Sequence, residues 1–410
     1  MAKGVSLALL VKHMARPFEL KRFLRQTPQY LLEQYFAGRE LTLKIDFGSR
    51  ETSIVELLAA AVRELGDLEL QKVDADFRDI DVIASERGYR AMMDEADWHI
   101  RNNPAKWGHD HDLRQRLAIM ENDHERAMWV FVNRPPYWRG TLRFFQADNL
   151  GPSFWQKRKN LPKVDAKVDD TPALGEALGQ YFNVVHGRGR RCEAEPLRRG
   201  DLDYFYCFGE GFSEAPQAWV GGKLGRHPRK PAHEVIFIYS KRDGSLDTYS
   251  KGGKREVPDL EEIFAAIILG EKHLQQNEAD ERVYDLDVLK ERDFAFQFGL
   301  DSKIEEVVVR SVRLSYRYGE KPHFTIMGDH KSNANSIHDE LARLGLGIPL
   351  NALHITQVEL GVRFTPTAVK QRRVVLAKLT HPNRCSLRYD GLDLVVRRML
   401  ADSGIEPRDP

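Results

Sequence analysis

Residues 233–250, with the sequence HEVIFIYSKRDGSLDTYS, show the strongest β-strand pattern of the chain. Residues 233–240 are dominated by β-branched and aromatic side chains, which suit the pleated surface of a buried strand. Asp243-Gly244 then favours a tight turn, because glycine adopts positive φ without steric cost. Residues 245–250 return as the partner strand. The stretch therefore predicts an antiparallel hairpin.

The sequence around this hairpin predicts the rest of an antiparallel sheet. Apolar runs and capping patterns indicate a strand at 141–146, a helix at 171–185, strands at 204–208 and 218–221, and a helix from Asp259. Residues 157–171 are polar and predict a loop. The resulting order of strand, helix, four strands and helix is typical of a largely antiparallel sheet with helices on one face.

The flanking regions complete an α+β fold. Helical periodicity dominates the chain before the sheet, including one long helix at 111–133. After it, the pattern predicts strands at 307–316, 323–327, 355–364 and 373–379, and helices at 336–344 and 392–400. We therefore expect a helical N-terminal domain at 1–134, an α+β middle domain at 135–274 and a C-terminal α+β domain at 283–410.

The composition indicates a globular protein of a reducing compartment. Hydrophobic residues make up 42% and charged residues 30%, with a formal net charge of +1. Binding to nucleic acid or an anionic membrane would therefore need a local patch. No apolar run approaches the roughly 20 residues that cross a bilayer. The three cysteines, Cys192, Cys207 and Cys385, argue against a disulfide framework. We expect a cytoplasmic protein with no membrane partner.

Three segments resemble a family of uncharacterised bacterial proteins of similar length with no known activity. They are 21–36 (KRFLRQTPQYLLEQYF), 124–132 (HERAMWVFV) and 231–253 (PAHEVIFIYSKRDGSLDTYSKGG). The resemblance implies a bacterial intracellular protein, and suggests a component of a stress- or phage-defence system. It implies no activity and no catalytic residue.

The densest group of metal-ligating residue types is His109-Asp110-His111-Asp112. Histidine and aspartate bind zinc, manganese or iron. His109 and His111, with a carboxylate from elsewhere, would therefore suit a metal-dependent hydrolase or nuclease. The alternative is a polar helix N-terminus, where Asp110 or Asp112 interacts favourably with the helix dipole.

Other catalytic patterns fail at specific residues. A nuclease of the Asp…Glu-x-Lys type would use Asp203 and Glu234, but Ile236 stands where the lysine is required. The sequence contains neither a Gly-x-Ser-x-Gly elbow nor a Walker loop. It therefore identifies no catalytic residue and no cofactor.

A local excess of basic residues gives the clearest functional indication. Residues 135–234 hold 16 Lys and Arg against 12 Asp and Glu, whereas residues 1–134 hold 20 against 22. The aromatic residues Tyr204, Tyr206 and Trp219 lie near these basic groups in the sequence, and such a combination binds phosphate backbones and stacks bases. The alternative is a set of solvated loops neutralised by neighbouring acids. The candidate nucleic-acid-binding residues are Arg188, Arg190, Arg191, Arg198, Arg199, Arg226, Arg229 and Lys230.

These patterns lead to two hypotheses of different classes. The first is a non-catalytic protein that binds nucleic acid or another protein through the basic middle domain. The second is a metal-dependent hydrolase or nuclease that uses His109 and His111.

Overall fold

The fold is α+β, with helices preceding two antiparallel sheets, as the sequence predicts. The computed structural model describes residues 17–41, 43, 45, 54–252, 255–272, 274, 278–316, 323–328, 335–343, 349–366 and 374–406. None of the helices in these ranges combines the length and apolar character that a membrane-spanning helix requires.

Helices make up the N-terminal part of the described chain. They are α1 (Leu20–Gln26), α2 (Gln29–Gly38), α3 (Ile54–Arg63), α4 (Asp67–Ile83), α5 (Glu86–Asn102), α6 (Pro104–Trp107), α7 (Leu113–Ala118), α8 (Asp123–Asn133) and α9 (Pro135–Asn149). Their apolar faces share one core, in which the ring of Phe77 lies 4.5 Å from that of Phe23 and 5.1 Å from that of Tyr35.

The middle of the chain forms a five-stranded antiparallel sheet in the order β1-β7-β6-β3-β2, with β4 and β5 paired separately. Its elements are β1 (Trp155–Arg158), α10 (Thr171–His186), β2 (Cys192–Arg199), β3 (Leu202–Glu210), β4 (Gln217–Val220), β5 (Lys223–Arg226), β6 (Ala232–Ser240), β7 (Ser245–Ser250) and α11 (Val257–Phe264). The predicted hairpin is confirmed: β6 pairs with β7, and Gly244 takes a φ of 59° in the turn.

Both faces of this sheet are buried against helices. Side chains alternate between the two faces along each strand. On β3, Phe205 and Cys207 face α10 and α11, whereas Tyr204 and Tyr206 face the other way, into a core shared with Phe144 of α9. The prediction of helices on one face is therefore wrong: helices cover both faces. Helix α9 also contributes to the N-terminal core, so it joins the two regions.

The C-terminal part forms a second five-stranded antiparallel sheet, in the order β12-β11-β10-β8-β9. Its elements are α12 (Glu278–Glu281), β8 (Ile304–Tyr316), β9 (His323–Met327), α13 (Ser336–Arg343), β10 (Leu353–Phe364), β11 (Val374–Thr380), β12 (Arg384–Cys385) and α14 (Gly391–Asp402). The strands and helices predicted here are confirmed to within a few residues, because their alternating and helical patterns are each strong.

The predicted strand at 141–146 is wrong, because these residues lie inside α9. Pro135 and Pro136 start that helix, where the missing amide hydrogen is tolerated. Tyr137, Thr141 and Phe144 are buried at helical spacing along it.

Other differences from the sequence prediction have similarly local causes. The helix at 111–133 is broken into α7 and α8, and Asn122 caps α8 by accepting a 2.9 Å hydrogen bond from the amide of Glu125. The polar residues 157 and 158 end β1 rather than start a loop. Between α10 and α11 there are six strands rather than four, because β2 and β5 are too charged to show an apolar strand pattern. Strand β2 contains Pro196, which is tolerated because β2 lies at a sheet edge.

Arg199, the last residue of β2, joins the three parts of the chain. Its side chain is 5% exposed, and its guanidinium lies 2.7 Å from Asp94 on α5, 2.9 Å from Asp148 on α9 and 3.5 Å from Asp390 before α14. Arg90 on α5 donates two further hydrogen bonds, of 2.8 and 2.9 Å, to Asp390. Because buried charges are costly when unpaired, each member of this group depends on the others.

A second polar contact, at Glu234 on β6, lies between the sheet and α9. Its Oε1 accepts a 2.6 Å hydrogen bond from Gln146. Burial raises the pKa of Glu234 from 4.5 to about 7, against the opposing effect of the Arg143 guanidinium. The folded state therefore favours the protonated carboxyl.

Replacing Arg199 should destabilise the whole fold. Arg199→Met leaves three carboxylates without their shared cation, and we expect a loss of about 3–5 kcal/mol in the free energy of unfolding, measured by urea denaturation. The matched control is the neighbouring Arg198→Met, whose side chain is 50% exposed; it should change stability by less than about 1 kcal/mol. Equal effects of the two variants would contradict the role given to Arg199.

Replacing Glu234 should change how stability depends on pH. A pKa raised in the folded state gives stability that is present at low pH and is lost as pH rises through about 7. Glu234→Gln keeps an acceptor for Gln146 and removes the titration. It should therefore match wild type near pH 4, where the carboxyl is protonated in both states, and exceed it by roughly 3 kcal/mol near pH 8. The exposed Glu193→Gln on β2 should show no such divergence between the two pH values.

Candidate nucleic-acid interface

The chain leaves the main sheet between β3 and β6 and forms a projecting hairpin from β4 and β5. We call this end of the sheet, residues 187–191 and 210–231, the hairpin end. It contains seven Lys and Arg against two Glu, a net charge of +5. Most of its side chains are exposed.

The geometry of the hairpin follows from its turn. Gly221 and Gly222 have φ values of 57° and 73°, the conformation that a two-residue type I′ turn requires. The turn pairs Val220 with Lys223 and Trp219 with Leu224. Because alternate residues share a face, Trp219, Leu224 and Arg226 lie on the same side of the hairpin.

This face is open to solvent. Trp219 is 68% exposed and Leu224 is 53% exposed. At the base of the hairpin, the backbones of Glu214 and Arg229 exchange hydrogen bonds of 2.9 and 2.8 Å. Arg226 donates a 3.1 Å hydrogen bond to the carbonyl of Ala215. These hydrogen bonds fix the base of the hairpin, and the apolar pair of Trp219 and Leu224 is exposed on it.

The segment between α10 and β2 brings further arginines to the same end. Helix α10 lies close to this segment, since a Cβ on Gly179 would lie 2.2 Å from the Arg190 carbonyl oxygen. Arg191 lies 3.2 Å from Glu210, and Lys230 lies 3.1 Å from the same carboxylate. The single carboxylate of Glu210 therefore neutralises only one of the two positive charges of Arg191 and Lys230.

Arg188 has a different environment from its neighbours. Its guanidinium lies over the rings of Phe182 and Phe212, at 5.5 and 5.3 Å from their centroids. Its Nε and Nη1 atoms are buried and have no hydrogen-bond partner in the described part of the chain. Phe212 itself is 57% exposed. Arg188 therefore supports an exposed aromatic ring by a cation–π contact.

The structure divides the predicted basic cluster between the two ends of β2. Arg188, Arg190, Arg191, Arg226, Arg229 and Lys230 meet at the hairpin end. Arg198 and Arg199 lie at the opposite end, about 23 Å away along the strand at 3.3 Å per residue. Arg198 is 3.6 Å from Asp203 and half-exposed, whereas Arg199 is buried among carboxylates. Neither can belong to the hairpin end.

The predicted metal residues are not brought together with further ligands. His109 is 61% exposed and lies 3.7 Å from Asp110, and His111 Nδ1 lies 3.1 Å from the carbonyl of Gly108. Asp110 is fully buried and accepts hydrogen bonds from Arg134 and Tyr137. Across the described ranges, no group of three His, Cys, Asp or Glu residues is placed to hold a metal ion.

The nuclease pattern that the sequence rejects is also separated in space. Asp203 pairs with Tyr239, five residues from Glu234 on the same strand. The two acids are therefore about 17 Å apart along the sheet at 3.4 Å per residue. They also face opposite sides of it, so they cannot share a metal ion.

The residues predicted from the sequence do not include Leu224 or the exposed ring of Phe212. A signal was present in Gly221-Gly222, a glycine pair that favours a two-residue hairpin turn. It would have placed Leu224 opposite Trp219. The exposure of Phe212 depends on tertiary contacts and has no comparable signal in the sequence.

Comparisons with known proteins assign no activity to this surface. No protein-family model matches the chain, and no curated protein matches it. What the hairpin end binds must therefore be inferred from the chemistry of its side chains.

Proposed function

We propose that this protein binds single-stranded nucleic acid through the hairpin end, without catalysing a reaction on it. The observation that carries the proposal is the exposed face of Trp219, Leu224 and Arg226, which stands within a region of net charge +5. Basic side chains attract phosphates, and aromatic rings stack on bases.

The basic side chains are available to phosphates. Arg191 is 87% exposed and Arg229 is 62% exposed. Their ion pairs with Glu210 and Glu214 lie at the surface, where such pairs contribute little free energy. A phosphate can therefore compete for the guanidinium groups, which bind it through two hydrogen bonds.

The hairpin tip favours a single strand over a duplex. Trp219 can stack on a base only if that base has a free face, and bases inside a duplex are covered by their neighbours. Leu224 extends the apolar contact, and we expect Arg226, on the same face, to contact the phosphate of the stacked nucleotide.

The charge pattern favours nucleic acid over a protein partner. The centres of protein interfaces are depleted in lysine, whereas arginine is enriched there. Here two lysines lie in the same region as the apolar pair: Lys223 pairs with Val220 beside the turn, and Lys230 follows β5. We place this activity in the bacterial cytoplasm, which fits the free thiols of all three cysteines and the resemblance to bacterial proteins.

Removing charge from the hairpin end should abolish salt-sensitive binding. We expect Arg190→Gln, Arg191→Gln, Arg226→Gln and Arg229→Gln in one chain to weaken binding of a labelled single-stranded oligonucleotide by at least about a hundredfold at low salt, because several phosphate contacts are lost. Fluorescence anisotropy at several salt concentrations measures this. The slope of log affinity against log salt should also become shallower.

A control with the same change in net charge tests whether location matters. Arg63→Gln, Arg101→Gln, Arg114→Gln and Arg343→Gln remove four exposed charges remote from the hairpin in sequence. This variant should bind as wild type does. If wild type itself fails to bind single-stranded DNA or RNA at low salt, the proposed function is wrong.

Removing the exposed ring should weaken binding without affecting stability. Trp219→Ala should lower affinity about tenfold, because stacking on a base contributes roughly 1–3 kcal/mol. Trp219→Phe should retain most of the affinity. The control is Val220→Ala, on the opposite face of the hairpin, which should bind normally. Equal affinities for Trp219→Ala and Val220→Ala would rule out base stacking at this position.

A further inference from the structure

A cavity of about 620 Å³ lies at the other end of the middle sheet, where the three parts of the chain meet. The turn between β2 and β3 and the turn between β6 and β7 form one side of it. Helix α5 contributes Arg90, and α14 contributes Arg398. We call this cavity the junction cleft. Its volume is that of an ordinary small-molecule site, about 300–1,000 Å³.

The lining of the junction cleft has an excess of positive charge. It contains eight Lys and Arg side chains against five Asp and Glu. The acids deepest in the junction are already neutralised: Asp390 is bound by Arg90 and Arg199, and Glu406 is bound by Lys157. The remaining basic side chains therefore give the cleft its positive charge.

Three of these cations have no carboxylate partner within ion-pair distance among the described residues. Lys163 and Arg398 are exposed on the lining. Arg397 is held in the wall, with its guanidinium 3.9 Å from the ring centroid of Tyr389. It donates hydrogen bonds to the carbonyls of Leu387 and Arg388, at 2.7 and 3.2 Å.

The guanidinium of Arg397 lines the cleft, and one of its nitrogen atoms lacks a hydrogen-bond acceptor among the described residues. Its Nη1 atom is buried and has no hydrogen-bond partner in the described part of the chain. Asp247, a buried carboxylate on β7, accepts the hydroxyl hydrogen of Tyr389. A buried cation without a full set of partners is costly, and an anion in the adjacent cleft would offset that cost.

We propose that the junction cleft binds a small phosphorylated ligand of the size of a nucleoside diphosphate. Lys163 and Arg398 would contact its phosphates from the rim, and Arg397 would attract them from the wall. The apolar side chains Leu202 and Leu394 in the lining offer a surface for an uncharged portion of the ligand. This site is separate from the hairpin end and does not depend on the function proposed for it.

Ligand binding to the purified full chain tests this site. The probes are inorganic pyrophosphate, ADP and glucose 6-phosphate, followed by thermal shift and calorimetry. At least one should raise the unfolding temperature, because a ligand that binds only the folded state stabilises it. Stabilisation by ADP above that by pyrophosphate identifies a nucleotide, and stabilisation by the sugar phosphate above both identifies another phosphorylated metabolite.

Variants of the rim show where the ligand binds. Lys163→Ala with Arg398→Ala should weaken binding by about tenfold or more, because two charge-assisted contacts are lost. The control, Lys106→Ala with Arg343→Ala, removes the same charge elsewhere and should bind as wild type does. The hairpin variant that loses oligonucleotide binding should also retain the phosphate ligand, so failures of the two proposals can be told apart.

Two outcomes would overturn the proposal. One is that none of the three probes stabilises wild type. The other is that the rim variant and its control bind the best probe equally well.

Discussion

The buried guanidinium of Arg199 fixes how the three parts of this protein meet. It stands at the end of β2 and contacts carboxylates from α5, from α9 and from the segment before α14. Arg199, Asp148 and Asp390 are buried, and each of these charges would be costly without its partners. The contact therefore sets the position of the C-terminal region against the middle sheet, and it forms one wall of the junction cleft.

The same sheet presents two different basic surfaces at its two ends. At the end next to Arg199, basic side chains line a concave cleft whose lining also contains acidic side chains. At the hairpin end, cations surround an exposed aromatic ring and have few acidic neighbours. A cleft suits a compact anion, whereas a projecting hairpin suits an extended strand. The antiparallel order of β2, β3 and β6 creates this separation, because successive turns fall at opposite ends of the sheet.

Much of the fold was predictable, and the errors have physical causes. The hairpin at 233–250 and the C-terminal strands were correct because their apolar patterns are strong and local. Strand β2 was missed because an edge strand tolerates charges and proline. The strand assigned to 141–146 was wrong because a short apolar run does not distinguish a strand from a buried helix.

The site was less predictable than the fold. Arg198 and Arg199 are adjacent in sequence, yet one is half-exposed and the other buried, because neighbouring residues on a strand face opposite sides. The sequence could show that the region is basic but not which end of the sheet each arginine occupies. The junction cleft is lined by residues that lie between positions 90 and 406 of the chain, so no local sequence pattern predicts it.

The most direct test of nucleic-acid binding at the hairpin end is the fluorescence of Trp219 during titration with a single-stranded oligonucleotide. Trp219→Phe provides the reference for the other tryptophans. We expect emission from wild type to fall on binding, added salt to reverse the fall, and most of the change to be missing in Trp219→Phe. If the oligonucleotide binds and changes the emission of both proteins equally, Trp219 does not stack on it.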